Sequence, residues 1–360
     1  MLVLGLVLTL QGCAGPGNDE GGRKGGALHA SHEKFRWKMV TAWPANFPVF
    51  QEGVEKFADD VGVMTDGRLQ IQVFAGGELV PSLGVFDAVS QGTVEMGHGS
   101  AYYWAGKVPA AQFLSAVPFG LTAQGMNSWI HSGGGLQIWR ELYVPFRLVP
   151  FAMGNTGMQM GGWFNKRIES IDDLKGLKMR IPGLGGKVFA KAGGNPVLLA
   201  GGEVYTSLER NTIDATEWVA PFHDMRLGLD RAAKYYYYPG WHEPGTVLEL
   251  IVSTRAWQRL PEDLQRTIEV AAAAANGWML TQMETLNSKA LAELRTKPNL
   301  EVLPFPDDVI DELRRLTERT LDEEAAADSE FAGVLAAYRA YRDTSNGWNS
   351  IAEDAYRGLR

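Results

Sequence analysis

The chain has 360 residues, 45% of them hydrophobic and 21% charged, enough apolar material for two sizeable cores rather than one small domain. A net charge of -8 argues against a nucleic-acid binder, which would carry a basic face or stripe. Cys13 is the only cysteine, so an internal disulfide is excluded.

The N-terminal run "MLVLGLVLTLQGC" is apolar, too short to span a bilayer, and passes into a Gly-rich polar stretch, the outline of an export signal. Leu10-Gln11-Gly12-Cys13 resembles the bacterial lipoprotein box, in which the cysteine is lipidated after cleavage. The positive n-region is missing, so a plain cleaved signal stays open. Residues 1–32 are read as a signal or lipoprotein-like segment and tether. The expected location is periplasmic or extracytoplasmic, membrane-tethered if Cys13 carries lipid.

From Phe35, "FRWKMVTAW" predicts a buried strand, followed by a helix, a turn at Thr65-Asp66-Gly67 and a second strand, the strand-helix-strand order of a parallel α/β sheet. The alternation resumes after residue 157, with strands expected at 159–164, 177–182, 195–199 and 213–217 and helices at 185–192 and 202–209. "TVLELIVSTRAW" then reads as a strand returning the chain to the first domain. Two crossings make a hinge. The fold class is α/β and two-lobed with a hinge, with lobe I at 33–157 plus 246–285 and lobe II at 158–245 plus 286–330.

Leu264, Ile268, Ala272, Ala275, Met279, Met283, Leu286, Ala290 and Leu294 are spaced by threes and fours, one face of a single helix. At 1.5 Å per residue it is roughly 50 Å long, enough to span both lobes. A C-terminal helical extension, 331–360, presents Phe331, Val334, Leu335, Tyr338 and either Tyr341 or Arg342 on one side. That face either packs on its own domain or forms a homodimer.

"GLKMRIPGLG" places Arg180 between Met179 and Ile181 in a short apolar strand that runs into a Gly-rich turn. A partly buried guanidinium keeps its charge and needs an anionic partner, from the protein or from a ligand. The following helix N-terminus favours an anion beside it. "GLGGKVFAKAGG" fails as a dinucleotide loop because Val188 stands where the third glycine should be. Glu217 beside Trp218, and Glu243 in "YYYYPGWHEPG", are acidic residues next to large aromatics, as at the crevice of an open sheet. A hard cation on oxygen ligands suits this inventory better than a thiolate or histidine site. His223 and His242 are read as surface or supporting residues. Tyr102, Tyr103 and Phe119 wall a pocket or belong to the core.

Taken together, "AWPANFP", "FAGGELVPSLGVFDAVSQGTVEMGHGSAYYWAGK", "AVPFGLTAQ", "GNTGMQMGGWFN", "LKGLKMRIPG" and "IDATEWVAPFHD…YYYYPGWHEPG" resemble the substrate-binding subunits of TRAP transporters, in the subgroup for 2-oxo or 2-hydroxy monocarboxylates. The resemblance runs from about residue 36 to about 300 and implies a periplasmic-binding-protein-like fold for the two lobes. It implies that Arg180 binds the ligand carboxylate, and that a sodium or calcium ion bridges ligand and protein through Gln159, Glu217 and the Trp218 carbonyl. Glu243 would serve the metal or the substrate. Tyr102 and Tyr103 would contact the substrate, and Phe119 and Trp218 would limit its size. The implied partners are a small carboxylate such as pyruvate and the TRAP membrane subunits. Lys187 and Lys191 leave a second cation for a dicarboxylate open. Two other readings are an exported lyase or hydrolase using Glu243 with His242, and a chemosensory binding protein.

Overall fold

Phe35, Trp37 and Met39 are buried and alternate with exposed Arg36 and Lys38, a period of two that makes β1 (Phe35–Thr41) a strand. In the computed structural model, which describes residues 33–359, β1 is followed by α1 (Phe50–Met64), β2 (Leu69–Phe74), β3 (Met96–Gly99) and β4 (Leu148–Asn155). Next come β5 (Gly162–Phe164), β6 (Lys178–Arg180), α2 (Gly183–Lys191), β7 (Asn195–Val197), α3 (Gly201–Glu209), β8 (Ala215–Thr216), α4 (Pro221–Leu227) and β9 (Tyr235–Tyr238). The chain closes with β10 (Val247–Ser253), α5 (Glu262–Leu294), β11 (Glu301–Pro304), α6 (Asp307–Ala327) and α7 (Ser329–Ile351). Further helices, among them Val85–Ser90, Ala123–Ser132 and Gly135–Tyr143, and short helical turns lie between these elements. Cys13 and the signal-like segment fall outside the described residues.

Two sheets result, in the orders β2-β1-β3-β10-β4 and β11-β9-β5-β8-β6-β7. In the first, β1 runs parallel to β2 and β3, while β10 inserts antiparallel between β3 and β4. The returning strand expected from "TVLELIVSTRAW" is β10, and every one of its residues is buried. In the second sheet, β6 pairs in parallel with both β7 and β8. The strands of that sheet are shorter than the sequence suggests. Residues 159–161 leave the ladder to cross between the sheets, where Met160 N–H donates to the Val219 carbonyl and Gly161 N–H to that of Tyr237.

The 33-residue α5 holds the two sheets' elements together, packing on β4 and α1 on one side and on α4 on the other. Its buried residues follow the expected stripe, with Leu264, Ile268, Ala272, Ala275, Met279, Met283, Ala290 and Leu294 inside. Gly154 (φ 141°) is needed where β4 meets this helix, because a Cβ there would lie 2.6 Å from the Met279 sulfur. Buried Asn276 accepts from the Gly154 N–H at 3.0 Å, satisfying a donor that the strand ladder leaves unpaired.

The face of α7 is used within its own chain. Phe331 lies 4.8 Å from the Phe113 ring, Tyr338 is 5.1 Å from Trp129, and the Tyr338 hydroxyl accepts from the Leu121 N–H at 2.8 Å. Self-packing therefore accounts for Phe331, Val334, Leu335 and Tyr338. Tyr338→Ala is expected to cost roughly 3–5 kcal/mol of unfolding free energy, the usual penalty for truncating a buried aromatic. Denaturant titration checks this, and a cost below about 1 kcal/mol would mean that the helix is detached in solution.

Candidate functional site

β6 and β8 are neighbours although they stand far apart in sequence, and their parallel pairing sets Arg180 opposite Thr216. The Glu217 N–H donates to the Arg180 carbonyl at 3.2 Å, so both side chains leave the carboxyl ends of adjacent parallel strands, where open sheets build their crevice. One Arg180 Nη donates to the Glu217 carboxylate and, at 3.1 Å, to the Glu217 backbone carbonyl. The guanidinium sits 4.9 Å from the Trp218 ring, and Arg180 and Glu217 are each 1% exposed. The buried charge thus has an internal partner, which takes one arm of its fork.

The crossing segments supply the second group. Gln159 lies between β4 and β5, and Glu243 and Thr246 lie between β9 and β10. Glu243 Oε2 accepts from Gln159 Nε2 at 2.8 Å, from the Thr246 hydroxyl at 2.6 Å and from the Tyr102 hydroxyl at 3.3 Å. The two crossings bond to each other through the Thr156 N–H and the Thr246 carbonyl at 2.9 Å. The cluster is therefore built on the hinge. Tyr102 and Tyr103 reach it from the first sheet's side, with ring centroids 4.9 Å apart.

Close backbone approach explains the glycines of "GLGG". Gly183 (φ 62°) lets α2 start against Tyr102, and a Cβ on Gly185 would stand 2.8 Å from the His242 Cβ. Val188 is a buried core residue of the second lobe, so the helix is an ordinary strand-to-helix continuation. Lys187 and Lys191 point elsewhere, to Glu324 and Glu323 on α6. Among the described residues they bring no second cation to Arg180.

Phe119 and the two histidines make contacts that the sequence does not disclose. Phe119 stacks on Trp241 at 5.8 Å and lies under the Arg314 guanidinium, and its N–H donates to the Trp241 carbonyl. It thus buttresses the loop that carries His242 and Glu243. The two histidines are not surface residues. His223 is fully buried between Phe47 and Phe50, with Nε2 2.9 Å from the Pro48 carbonyl, because α4 packs its first turn against the β1–α1 connection. His242 is buried inside the cluster, Nε2 3.5 Å from Glu217. Sequence reasoning gave Thr246 no role and His242 one only in the enzyme reading, beside Glu243; their adjacency in "GWHEPG" was the available signal.

Electrostatics follow from burial. It pushes the Glu217 carboxyl up to about 7 against the pull of Arg180, and Glu243 up to about 7 with the Glu217 charge adding to the effect. Burial lowers His242 to about 4, which leaves it neutral. It also works against the Arg180 charge, but the facing carboxylates more than offset that and hold its pKa above the ordinary value. Glu217 Oε2, Gln159 Oε1 and both His242 nitrogens are buried without a hydrogen-bond partner. Buried polar atoms are rarely left so, and the set of carboxylate and amide oxygens fits a cation. Glu217, His242 and Glu243 can each direct one atom to a common point, all within 4.8 Å of one another.

Two more buried carboxylates brace the frame. Asp224 accepts from Trp163 Nε1 at 2.9 Å and from the Tyr236 hydroxyl at 2.7 Å, and Glu249 accepts from Trp104 Nε1 and, at 2.8 Å, from the Tyr143 hydroxyl. Burial raises each to about 7, above the unfolded values of 3.8 and 4.5. Between those limits the folded state holds more protons than the unfolded one, so stability should fall as pH rises through 7. The loss is at most roughly 3–4 kcal/mol per group. Urea titrations at pH 5 and pH 8 should show the decline, and Glu249→Gln should flatten it; an equal slope in the variant would sink this account.

Residues 39–328 match the family of bacterial extracellular solute-binding proteins, family 7, known as DctP. The chain belongs to this family. A monocarboxylate 2-oxoacid-binding periplasmic protein of Nostoc sp. is 44% identical over 92% of this chain and 91% of its own. A TRAP periplasmic solute-binding protein of Pseudoalteromonas atlantica, solved with sodium and pyruvate, is 41% identical, with a TM-score of 0.88 over 91% of this chain and 99% of its own. Its counterpart from Colwellia psychrerythraea, solved with calcium and pyruvate, is also 41% identical, with a TM-score of 0.89 over 91% and 100%. This DctP protein is thus a TRAP solute receptor with the two-lobed α/β fold.

Proposed function

We propose that this protein is an extracytoplasmic TRAP receptor for a small 2-oxo monocarboxylate such as pyruvate, or the corresponding 2-hydroxy acid, bound with a bridging sodium or calcium ion. The observation that carries the reading is one buried guanidinium paired with Glu217, in a hinge cluster where a Glu217 and a Gln159 oxygen are buried without hydrogen-bond partners. Arg180 takes the ligand carboxylate with the donors that Glu217 leaves free. Gln159, Glu217 and the Trp218 carbonyl hold the cation, and Glu243 serves cation or ligand. Tyr102 and Tyr103 contact the ligand from lobe I, while Trp218 and the Phe119–Trp241 stack limit its length.

A ligand touching both lobes stabilises the closed state by its differential contacts, and the membrane subunits read that state. Its role is capture, not catalysis. The lobe division at 33–157 with 246–285 and 158–245 with 286–330 follows sheet membership, with 331–360 as an extension. A tether through Cys13 suits delivery to a membrane partner. Any homodimer uses the distal end of the last helices, where Trp348 and Ile351 are exposed, since the proximal face is spent.

Calorimetric titration with pyruvate, 2-oxobutyrate, lactate and succinate, each in sodium-free, sodium and calcium buffers, tests the reading. Expected is tight monocarboxylate binding that depends on one cation, with succinate at least tenfold weaker. Binding of none of the acids, or turnover of the acid during incubation, would overturn it.

A further inference from the structure

We propose that His223 is a positioning residue for ligand capture, a latch between the lobes that releases when its ring gains a proton, so that the receptor loosens its hold on the ligand in acid. The inference rests on the two-lobed receptor reading above, in which binding and closure are one event. His223 stands on α4 in lobe II, yet its ring lies 4.5 Å from Phe47 and 4.4 Å from Phe50 of lobe I and is fully buried there. Its Nε2 is 2.9 Å from the Pro48 carbonyl, which can only accept, so Nε2 carries the hydrogen. Phe47 also meets the Trp218 ring at 6.1 Å, nearly perpendicular, and the Arg180 guanidinium lies 4.9 Å from that ring. The latch thus reaches the ligand site through a loop of the opposite lobe.

Neutral imidazole fits this seat and imidazolium does not. Nδ1 is buried without a partner, and a proton on it would be a donor with no acceptor. Phe47, Pro48 and Phe50, which cover the ring from lobe I, carry no charge. On α4 itself, Arg226 opposes a second positive charge, while Asp224 turns its carboxylate to Trp163 and Tyr236. What α5 offers α4 is the neutral Asn287, which accepts from the Phe222 N–H at 3.0 Å. Burial accordingly lowers His223 to about 3. Once the lobes part, water reaches the ring and its ordinary value of 6.5 returns. The open state then binds the extra proton, so acid below that value favours opening and closure regains its full strength above it. This linkage raises Kd by up to about thirtyfold between pH 8 and pH 5.

The test titrates the full chain calorimetrically with pyruvate, in saturating sodium or calcium, at pH 8, 6 and 5. The carboxylates of the site add their own pH dependence, so the quantity read is the ratio of Kd at pH 5 to Kd at pH 8, compared between wild type and variants. His223→Gln keeps a neutral N–H for the Pro48 carbonyl and His223→Phe fills the same space, and neither titrates. Whatever their affinity at pH 8, both are expected to show a ratio about tenfold smaller than the wild type's. An equal ratio in wild type and variants would overturn the proposal. Imidazole proton resonances decide it without a ligand. The His223 signal, identified by its loss in the variants, should titrate between about pH 5.5 and 6.5 in the ligand-free protein and leave that range when pyruvate and cation are bound. A ligand-free ring that stays neutral down to about pH 4.5 would refute the latch. If no acid binds with either ion, the receptor reading fails, and the ligand-free titration still settles His223.

Discussion

Arg180→Ala is expected to abolish ligand binding, raising Kd by at least about a hundredfold, while the protein still unfolds cooperatively. Truncating one partner of a buried, hydrogen-bonded charge pair costs roughly 2–5 kcal/mol in binding, or about 30- to several-thousand-fold in Kd. The upper part of that range applies because Arg180 is the one cation aimed at the cluster among the described residues, Lys187 and Lys191 being paired to α6. The fold should survive because Glu217, already raised to about 7 by burial, can take a proton when its partner is gone. Melting by circular dichroism reports the fold and calorimetry the binding. Arg180→Lys, which keeps the charge but loses the planar fork, should recover only part of the affinity. Near-wild-type affinity in Arg180→Ala would show that the carboxylate binds elsewhere.

Glu217→Gln should act through the cation. One Glu217 oxygen pairs with Arg180 and the other has no partner, so the amide both loosens the guanidinium and removes a charge from the ion's donor set. The cation concentration for half-maximal ligand binding is expected to rise at least tenfold, which is about 1.4 kcal/mol. In cation-free buffer the variant and the stripped wild type should bind equally weakly. If the wild type binds undiminished after chelation and dialysis, no ion bridges the ligand and Glu217 serves Arg180 alone.

Much of this was legible in the sequence because local rules sufficed. The 3.6-residue stripe on α5 and the two-residue alternation on β1 are properties of single segments, and both elements lie where those periods put them. Arg180 was conspicuous because a permanent charge in an apolar strand demands a partner. Its choice of Glu217 was not legible, since it depends on β8 pairing with β6 although β7 lies between them in the chain. His242 escaped for a similar reason: its neighbours come from β8, α2 and the hinge, so only assembled topology shows that its nitrogens face carboxylates. The lysines on α2 misled in the opposite direction, close to Arg180 in sequence yet turned onto a helix more than a hundred residues later.

The place of β10 has a consequence for the order in which the molecule assembles. It is the strand between β3 and β4 in the first sheet, yet it is made only after all but one strand of the second sheet. A chain emerging N-terminus first therefore holds β3 and β4 apart, with backbone groups unpaired, until residues 247–253 arrive. Pairings across such separations pay loop-closure entropy before they are rewarded, which slows folding. The first sheet is thus begun first yet completed only when most of the second has already been made, and a nascent chain stays pliant until then.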